Sequence, residues 1–216
     1  AINNLSPKPT RRPIVAVVDT GILPRHPDLE NMLVPGIDVI SDPRNSLDGD
    51  GVDTDPTDVT TNGPRGSGFH GSHVAGTIAA QTFNDDYGAG VAPMARIMPV
   101  RALGIEGGSS MEIIEGMKWA AGLPNSTGVP SPAESADIFN LSLGSRSNCS
   151  QAYESAISQI RAAGKILFAS SGNESKADQL NFVGSPANCP SMISVGSTDA
   201  RNGRSYFSNG GENLDL

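Results

Sequence analysis

The chain is poor in aromatic residues, in clustered basic residues and in long apolar runs. Aromatics make up 5% of its 216 residues, and 15 Lys and Arg face 23 Asp and Glu, a formal net charge of -8. Nucleic acid binding needs clustered Lys and Arg, and here these residues are scattered. The longest apolar runs, such as 14–18 and 165–169, fall far short of the roughly 20 residues that span a bilayer. We therefore expect no nucleic acid partner and no membrane segment.

Cysteine is scarce as well. Cys149 and Cys189 are the two copies, at a separation unlike any zinc spacing and outside any Cys-x-x-Cys pair. A disulfide is the preferred interpretation, and the alternative is two buried thiols of a cytosolic protein. A disulfide would close a loop of about 40 residues, worth roughly 4 kcal/mol in the chain-entropy account. It would also place the protein in an oxidising compartment.

The first residues, Ala1-Ile2-Asn3-Asn4, contain neither an initiator Met nor the basic and apolar regions of a signal peptide. We interpret them as a processed end.

The chain does contain many glycines and prolines, 25 and 16 respectively, and short β-branched segments that alternate with helical ones. This alternation predicts a parallel sheet with crossover helices. The predicted strands are 14–19, 95–103, 137–143, 165–170 and 192–197. The predicted helices are 71–80, 109–122 and 150–164, the second opened by a capping box of Ser109 and Glu112. We expect one α/β domain over residues 1–216, with long surface loops at 41–67 and 123–135.

Asp19 is the first residue with a chemical signal. It follows the apolar strand 14–18 and precedes Thr20-Gly21, so it lies where open α/β sheets place their ligands. A buried carboxylate is costly without a partner. An ordinary turn-forming Asp is the alternative. Asp-Thr-Gly also occurs in aspartic proteases, but they need two such carboxylates, and this sequence has one copy.

His70 is the second residue with a chemical signal, because it begins a predicted helix of small residues. An imidazole there can act as a general base when a strand-end carboxylate orients it. His73 follows three residues later, which is not the i, i+4 spacing of zinc-binding His-Glu-x-x-His, and no Glu lies between the two histidines. We therefore interpret His73 as structural and expect no zinc.

Six short motifs follow one another along the chain. They are Val17-Val18-Asp19-Thr20-Gly21-Ile22, His26-Pro27-Asp28-Leu29, His70-Gly71-Ser72-His73-Val74-Ala75-Gly76-Thr77, Gly90-Val91-Ala92-Pro93, Asn140-Leu141-Ser142-Leu143-Gly144 and Ser170-Ser171-Gly172-Asn173-Glu174. In this order they resemble the landmarks of subtilisin-like serine proteases of the secreted bacterial type. Ser205-Tyr206-Phe207-Ser208-Asn209 continues the likeness. The resemblance implies a three-layer fold in which helices flank a mostly parallel sheet, incomplete at its C-terminus.

The resemblance also implies catalytic roles for three residues. Asp19 matches the triad carboxylate, His70 the general base, and Asn173 the side-chain donor of the oxyanion hole. Taken alone, Asn173 reads as a turn residue after a strand.

Substrate-binding residues are implied in the same way. Two backbone segments are implied to sandwich an extended peptide by strand addition, Gly107-Gly108-Ser109 and Ser142-Leu143-Gly144. The residues implied to line the primary pocket are Ser170, Ser171, Gly172 and Gly184. With Gly184 at its base, this pocket is expected to accept large side chains. The bond before Pro186 is expected to be cis.

The nucleophile is the main departure from the family pattern. Family members carry it in Gly-Thr-Ser-Met-Ala, and we expect the chain to stop at Leu216 before that motif. Gly108-Ser109-Ser110-Met111 is similar, but it lies only about 40 residues after His70, and the capping box explains its serines. We interpret Ser110 as a helix-start residue, and expect the fragment alone to be inactive.

Calcium is predicted from an acidic loop. Asp48, Asp50, Asp53 and Asp55 place carboxylates at close intervals, with glycines that let the chain curl. The Glu of an EF-hand is absent, and a solvated acidic loop is the alternative. By resemblance, Asp28 matches a ligand of the family's calcium site, with Asn84 and Asp86 as further candidates.

These observations predict a secreted, extracellular serine endopeptidase that acts on protein or peptide substrates through an Asp-His-Ser triad. The implied partners are its own C-terminal segment and, while it matures as a zymogen, a propeptide. The rival hypothesis is a noncatalytic calcium-binding protein that retains a protease scaffold. A nucleotide-binding function is disfavoured because no Gly-rich strand-to-helix turn is present.

Overall fold

The fold is described from a computed structural model, for residues 11–60, 68–86, 88–175 and 182–216. The chain divides into two compact units, Ala1–Ile138 and Phe139–Leu216. The prediction of a single domain stays a prediction, because compact units of this kind also occur within one domain. The predicted acidic loop lies among the described residues, whereas 61–67 of the predicted surface loop do not.

The first unit is built on three parallel strands in the order β2, β3, β1. They are β1 Ile14–Asp19, β2 Ile37–Asp38 and β3 Arg96–Arg101. Every residue of β1 is buried, as expected of a parallel strand covered on both faces. In the register, Asp19 and Asp38 are both paired with Arg101. Three charged residues therefore end neighbouring strands at one edge of the sheet.

The helices of the first unit are α1 Pro43–Ser46, α2 His70–Ala79 and α3 Ser110–Ala120, with a short 3-10 helix at Glu30–Met32. Helices α2 and α3 pack against β1 and β3. The core at α2 is formed by apolar residues of the strands and of α2 itself, among them Val15, Val17, Ala75 and Ile97. The predicted capping box of Ser109 and Glu112 is present at the start of α3.

The second unit contains β4 Ile138–Leu141, whose first residue closes the first unit, then α4 Gln151–Ala162, β5 Ile166–Ser170 and β6 Ile193–Val195. The strand order is β4, β5, β6, and β5 and β6 run parallel. Ser150 caps α4 by accepting a hydrogen bond from the backbone N–H of Tyr153 at 3.2 Å. A disulfide joins Cys149, directly before this cap, to Cys189. The Ser185-Pro186 bond is cis, as predicted.

None of the helices in the described ranges has the length and the apolar character needed to cross a membrane. The predicted α/β architecture with a mostly parallel sheet is confirmed, and its main strands and helices are in place. The ends of the strands position the candidate residues.

Candidate active site

Asp19 and His70 are in direct contact within the first unit. Asp19 ends β1 and is completely buried, and its Oδ1 lies 2.7 Å from His70 Nδ1. The same oxygen accepts a hydrogen bond from the backbone N–H of Thr20 at 2.8 Å. Asp19 Oδ2 is buried and has no hydrogen-bond partner among the described residues. The charge of Asp19 is therefore shared mainly with the imidazole.

Helix α2 brings His70 to this carboxylate because small residues allow a close approach. His70 is the first residue of α2, after Phe69 in the left-handed region at φ 55°. A Cβ atom on Gly71 would lie 2.3 Å from the carbonyl oxygen of Gly21, so glycine is required there. The Gly71 N–H donates to Thr20 Oγ1 at 3.0 Å. The strand end and the helix start are thus locked together.

The hydrogen bond with Asp19 raises the pKa of His70, and the attraction of the carboxylate acts in the same direction, whereas partial burial acts against it. The His70 side chain is 47% exposed. An Asp acceptor at Nδ1 favours the tautomer with its proton on Nδ1, which leaves Nε2 free to accept another. This arrangement can orient a general base.

A second buried ionic cluster lies beside Asp19 and was not predicted from the sequence. Arg101 is fully buried, and its guanidinium contacts Asp38 at 2.5 Å, Asp48, and the carbonyl of Ser46. Burial raises the pKa of Asp38 to about 7, although an N–H of Ile40 and the Arg101 charge oppose this. The Arg101 guanidinium is therefore the shared partner of two carboxylates, Asp38 and Asp48. An arginine at the end of an apolar strand was the available sequence signal.

The predicted binding edge Gly107-Gly108-Ser109 lies at the surface, just before α3. Gly104 and Gly107 exchange two backbone hydrogen bonds, and Gly107 has φ +87°. Asn45 donates from Nδ2 to the Gly107 carbonyl at 3.0 Å. Ser110 is the first residue of α3, as expected of a helix-start residue.

The second unit holds the other predicted residues. A cavity of about 310 Å³ is lined in part by Ser142, Ser170, Ser171, Gly172 and Asn173, and also by Asn140. The structure thus brings five predicted residues to one cavity. Leu143, Gly144 and Gly184 are not among its lining residues, although the Gly184 N–H donates to the Ser171 carbonyl at 2.9 Å. A Cβ atom on Gly144 would lie 3.1 Å from the Ser185 carbonyl.

The acidic loop, residues 48–58, is tied to the strand ends of the first unit. The backbone N–H groups of Asp38 and Asp53 each donate to the carbonyl of the other residue. The Ile22 N–H donates to the Pro56 carbonyl, and the Ile22 carbonyl accepts from the Asp58 N–H. Burial alone would raise the pKa of Asp48, but bonds from Ser46 and Arg101 lower it. The pKa of Asp50 is raised chiefly by the charge of Asp53. The exposed carboxylate of Asp50 and the half-buried carboxylate of Asp53 therefore repel each other.

The further calcium candidates lie elsewhere in the first unit. Asp28 is buried and its Oδ1 accepts from Asn84 Nδ2 at 2.7 Å, while Asn84 Oδ1 accepts from the Asp86 N–H at 3.4 Å. Asp28 and His73 also line one cavity of about 630 Å³. In the described part of the chain, the only group of three His, Cys, Asp or Glu ligand atoms within 4.8 Å of one another is Cys149, Glu154 and Cys189, and there both sulfurs are in the disulfide.

The chain is similar to known proteins over nearly its whole length. The model of the subtilase family, peptidase S8, matches residues 10–216. The extracellular basic protease of Dichelobacter nodosus is 38% identical over 94% of this chain and 35% of its own length. The extracellular protease of Xanthomonas campestris pv. campestris is 37% identical, with 94% and 36% covered. Subtilisin E of Bacillus subtilis is 34% identical, with 94% and 45% covered.

A solved structure is also similar. It is described as proteases from Pseudoalteromonas arctica, and it matches with a TM-score of 0.86 and 38% sequence identity over 95% of this chain and 62% of that chain. The chain thus spans between a third and a half of the length of these curated relatives.

Proposed function

This chain belongs to the subtilase family, and from that premise we propose that it is the part of a secreted serine endopeptidase that holds the catalytic acid and base. The observation that carries the proposal is the 2.7 Å contact between buried Asp19 and the ring of His70. The names of two relatives, both extracellular proteases, support secretion. Protein or peptide substrates follow from the proposed reaction.

In the proposed mechanism, His70 Nε2 takes the proton of a serine hydroxyl as that oxygen attacks the substrate carbonyl. Asp19 holds the imidazole in the required tautomer and stabilises its positive charge. His70 then returns the proton to the leaving amine. The side chain of Asn173 donates to the oxygen on which negative charge develops, which favours the transition state over the ground state.

The nucleophilic serine is proposed to come from a segment outside these 216 residues, since the sequence contains no Gly-Thr-Ser-Met-Ala motif. Residues 1–216 alone are then expected to hydrolyse no peptide bond. Ser110 is proposed not to replace this serine, because it starts α3 behind the Ser109 cap. A propeptide partner during maturation is part of the same proposal.

For substrate binding, we propose that Gly107-Gly108-Ser109 and Ser142-Leu143-Gly144 offer backbone groups to an extended peptide, as in strand addition. The exposure of Gly108 and Ser109 supports this role for the first segment. Ser170, Ser171 and Gly172 are proposed to form the primary pocket with Gly184, which is hydrogen-bonded to Ser171.

Calcium is the proposed cofactor. The chemistry of the donors fits a hard cation, because Asp50 is an exposed carboxylate and Asp53 a half-buried one, and a cation would relieve their mutual repulsion. Asp48 and Asp55 are the other loop candidates, although Asp48 already bonds Arg101. Asp28, Asn84 and Asp86 are proposed for a second site. Bound calcium would supply positive charge that stabilises these loops.

The test is labelling of the full-length protein with a fluorophosphonate probe, followed by mass spectrometry of the modified peptide. We expect one labelled serine outside residues 1–216, and loss of labelling in His70→Ala. His73→Ala is the matched control, because His73 lies on the same helix and is exposed, and it should keep the label. Labelling of Ser110 would contradict the assignment. A protein that takes no label and cleaves no peptide would favour the noncatalytic calcium-binding alternative.

A further inference from the structure

The turn that carries Asn173 is held by a residue far along the chain, Asn209. The Asn209 backbone N–H donates to the carbonyl of Gly172 at 3.0 Å, and the Asn209 carbonyl accepts from Ser171 Oγ at 3.0 Å. Three residues after Gly172, the Ser175 N–H donates to the Phe207 carbonyl at 3.1 Å. Both ends of the turn 171–175 are therefore fastened to residues 207–209 of the same unit.

The Asn209 side chain adds three more bonds to this turn. Its Nδ2 donates to the Ser171 carbonyl at 3.1 Å and to Glu174 Oε2 at 2.5 Å, and its Oδ1 accepts from the Glu174 N–H at 3.0 Å. Asn209 is 2% exposed, so water does not compete for these bonds. A primary amide offers two donors and an acceptor, which is what this position uses.

Gly172 shows how closely the amide approaches the turn. A Cβ atom at Gly172 would lie 2.3 Å from Asn209 Nδ2, and the backbone there has φ +110°. The Asn173 N–H in turn donates to Glu174 Oε2, the oxygen that Asn209 holds, at 3.0 Å. Asn209 thus fixes the residues on both sides of Asn173.

Asn173 itself is exposed, and no described residue hydrogen-bonds its side chain. The backbone of the turn therefore sets where the Asn173 side chain starts and which region its amide can reach, and the turn depends on Asn209. We propose that Asn209 is a positioning residue that holds the 171–174 backbone so that the Asn173 amide points at the developing oxyanion. This inference rests on the proposed role of Asn173.

The test is a double-mutant cycle in the full-length protein, with kcat and KM measured on a peptide substrate. Asn173→Ala should lower kcat by about 100- to 1,000-fold, the range known for oxyanion donors of subtilisins. Asn209→Ala should lower kcat by about 10- to 100-fold with little change in KM, since a small misplacement of a catalytic group has this effect. The double variant should match Asn173→Ala alone within about 2-fold.

Asn125→Ala is the matched control. Asn125 also fastens a turn through its amide, donating to the Leu123 carbonyl and accepting from the N–H and hydroxyl of Thr127, but it lies in the first unit, outside the candidate site. The kcat of the Asn125→Ala variant should equal that of the wild type. If Asn209→Ala folds poorly by circular dichroism, Glu174→Ala takes its place. Glu174 is exposed, and this variant removes the carboxylate to which Asn209 donates. It should show the same non-additivity with Asn173→Ala.

The outcomes are distinct. If Asn209→Ala leaves kcat unchanged, or if its loss multiplies with that of Asn173→Ala, the positioning role is overturned while the oxyanion role stands. If Asn173→Ala keeps full kcat, the proposed oxyanion role fails first.

Discussion

At the residue scale, two buried aspartates end the strands on either side of β3 but have different partners. Asp19 faces the imidazole of His70, whereas Asp38 faces the guanidinium of Arg101. A neutral imidazole can give and take a proton near neutral pH, and a guanidinium cannot. The first pair is therefore suited to proton transfer, and the second to holding the strand ends.

The acid limb of the pH profile should report on the first pair. His70 must be neutral to act as a base, and its pKa is raised by Asp19, so kcat/KM should fall on acidification at a pH above the usual histidine value of about 6.5. Asp19→Asn should move this limb to lower pH and reduce kcat by about 10⁴-fold. His73→Ala should keep the wild-type limb, and an unmoved limb in Asp19→Asn would contradict the assignment.

Stability at different pH values should report on the second pair. The folded-state pKa of Asp38 is raised to about 7, above that of the unfolded chain, so its contribution is present at low pH and is lost as pH rises through about 7. The side-chain amide of the Asp38→Asn variant does not titrate in this pH range. Its free energy of unfolding relative to wild type should increase between about pH 5 and pH 8 in urea titrations.

Asp199→Asn is the control for this comparison, since Asp199 is an exposed aspartate of the second unit. Its difference from wild type should stay constant over the same pH range. A constant difference for Asp38→Asn as well would refute the raised pKa.

The sequence was enough to predict the pairing of Asp19 with His70, whose side chains are in contact, because each lies at an element end within a specific motif. It was not enough to find Arg101 with Asp38, which are 63 positions apart and meet only through the strand register. Asn209 lay in a recognised motif, but the positioning role proposed for it depends on a turn 35 positions earlier.

At the element scale, the elements that were predicted are those with a local signal. Strand β1 is a continuous apolar run, and α3 begins at a capping box whose Glu112 also accepts from Ser41 N–H and Oγ. Strand β2 has two residues and α1 has four, too few for any periodicity, so both were missed. Within the predicted loop 41–67, α1 is capped by Asp42, which accepts from the Arg44 N–H.

The disulfide links the start of α4 to the segment before β6. Replacing both cysteines with serine should lower the free energy of unfolding by about 2 to 4 kcal/mol, because the unfolded chain regains the freedom of the 40-position loop. Urea unfolding of oxidised protein and of the double variant measures this. Ser158→Ala, on the exposed side of α4, is the control and should change it by less than about 0.5 kcal/mol. Equal stabilities would mean that the bond is absent.

At the scale of the whole molecule, the candidate groups are divided between the two units. The first unit holds Asp19, His70 and every calcium candidate, whereas the second holds Asn173 and the pocket residues. The negative charge behind the net value of -8 is also unevenly distributed along the chain, since six aspartates fall within 42–58. The order of the family motifs could be read from the sequence, but the division into units depends on long-range packing.

Calcium removal should therefore act through the first unit. Excess EDTA should lower the melting temperature of the full-length protein, measured by calorimetry, and added calcium should restore it. The variant Asp50→Asn/Asp53→Asn should lose much of this response, because it lacks the repelling pair. Asp199→Asn/Asp215→Asn, which removes the same charge from the second unit, should respond like wild type. An unchanged melting temperature in EDTA would count against the calcium proposal.

The repulsion between Asp50 and Asp53 has a consequence for ionic strength. Asp50 is exposed and Asp53 is half-buried, so mobile ions reach this pair, and they screen charges beyond a Debye length of about 10 Å at 0.1 M salt and about 3 Å at 1 M. Sodium chloride should thus partly replace calcium for the metal-free protein, raising its melting temperature gradually rather than at a stoichiometric endpoint. The shape of that titration would separate diffuse screening by salt from binding of one ion.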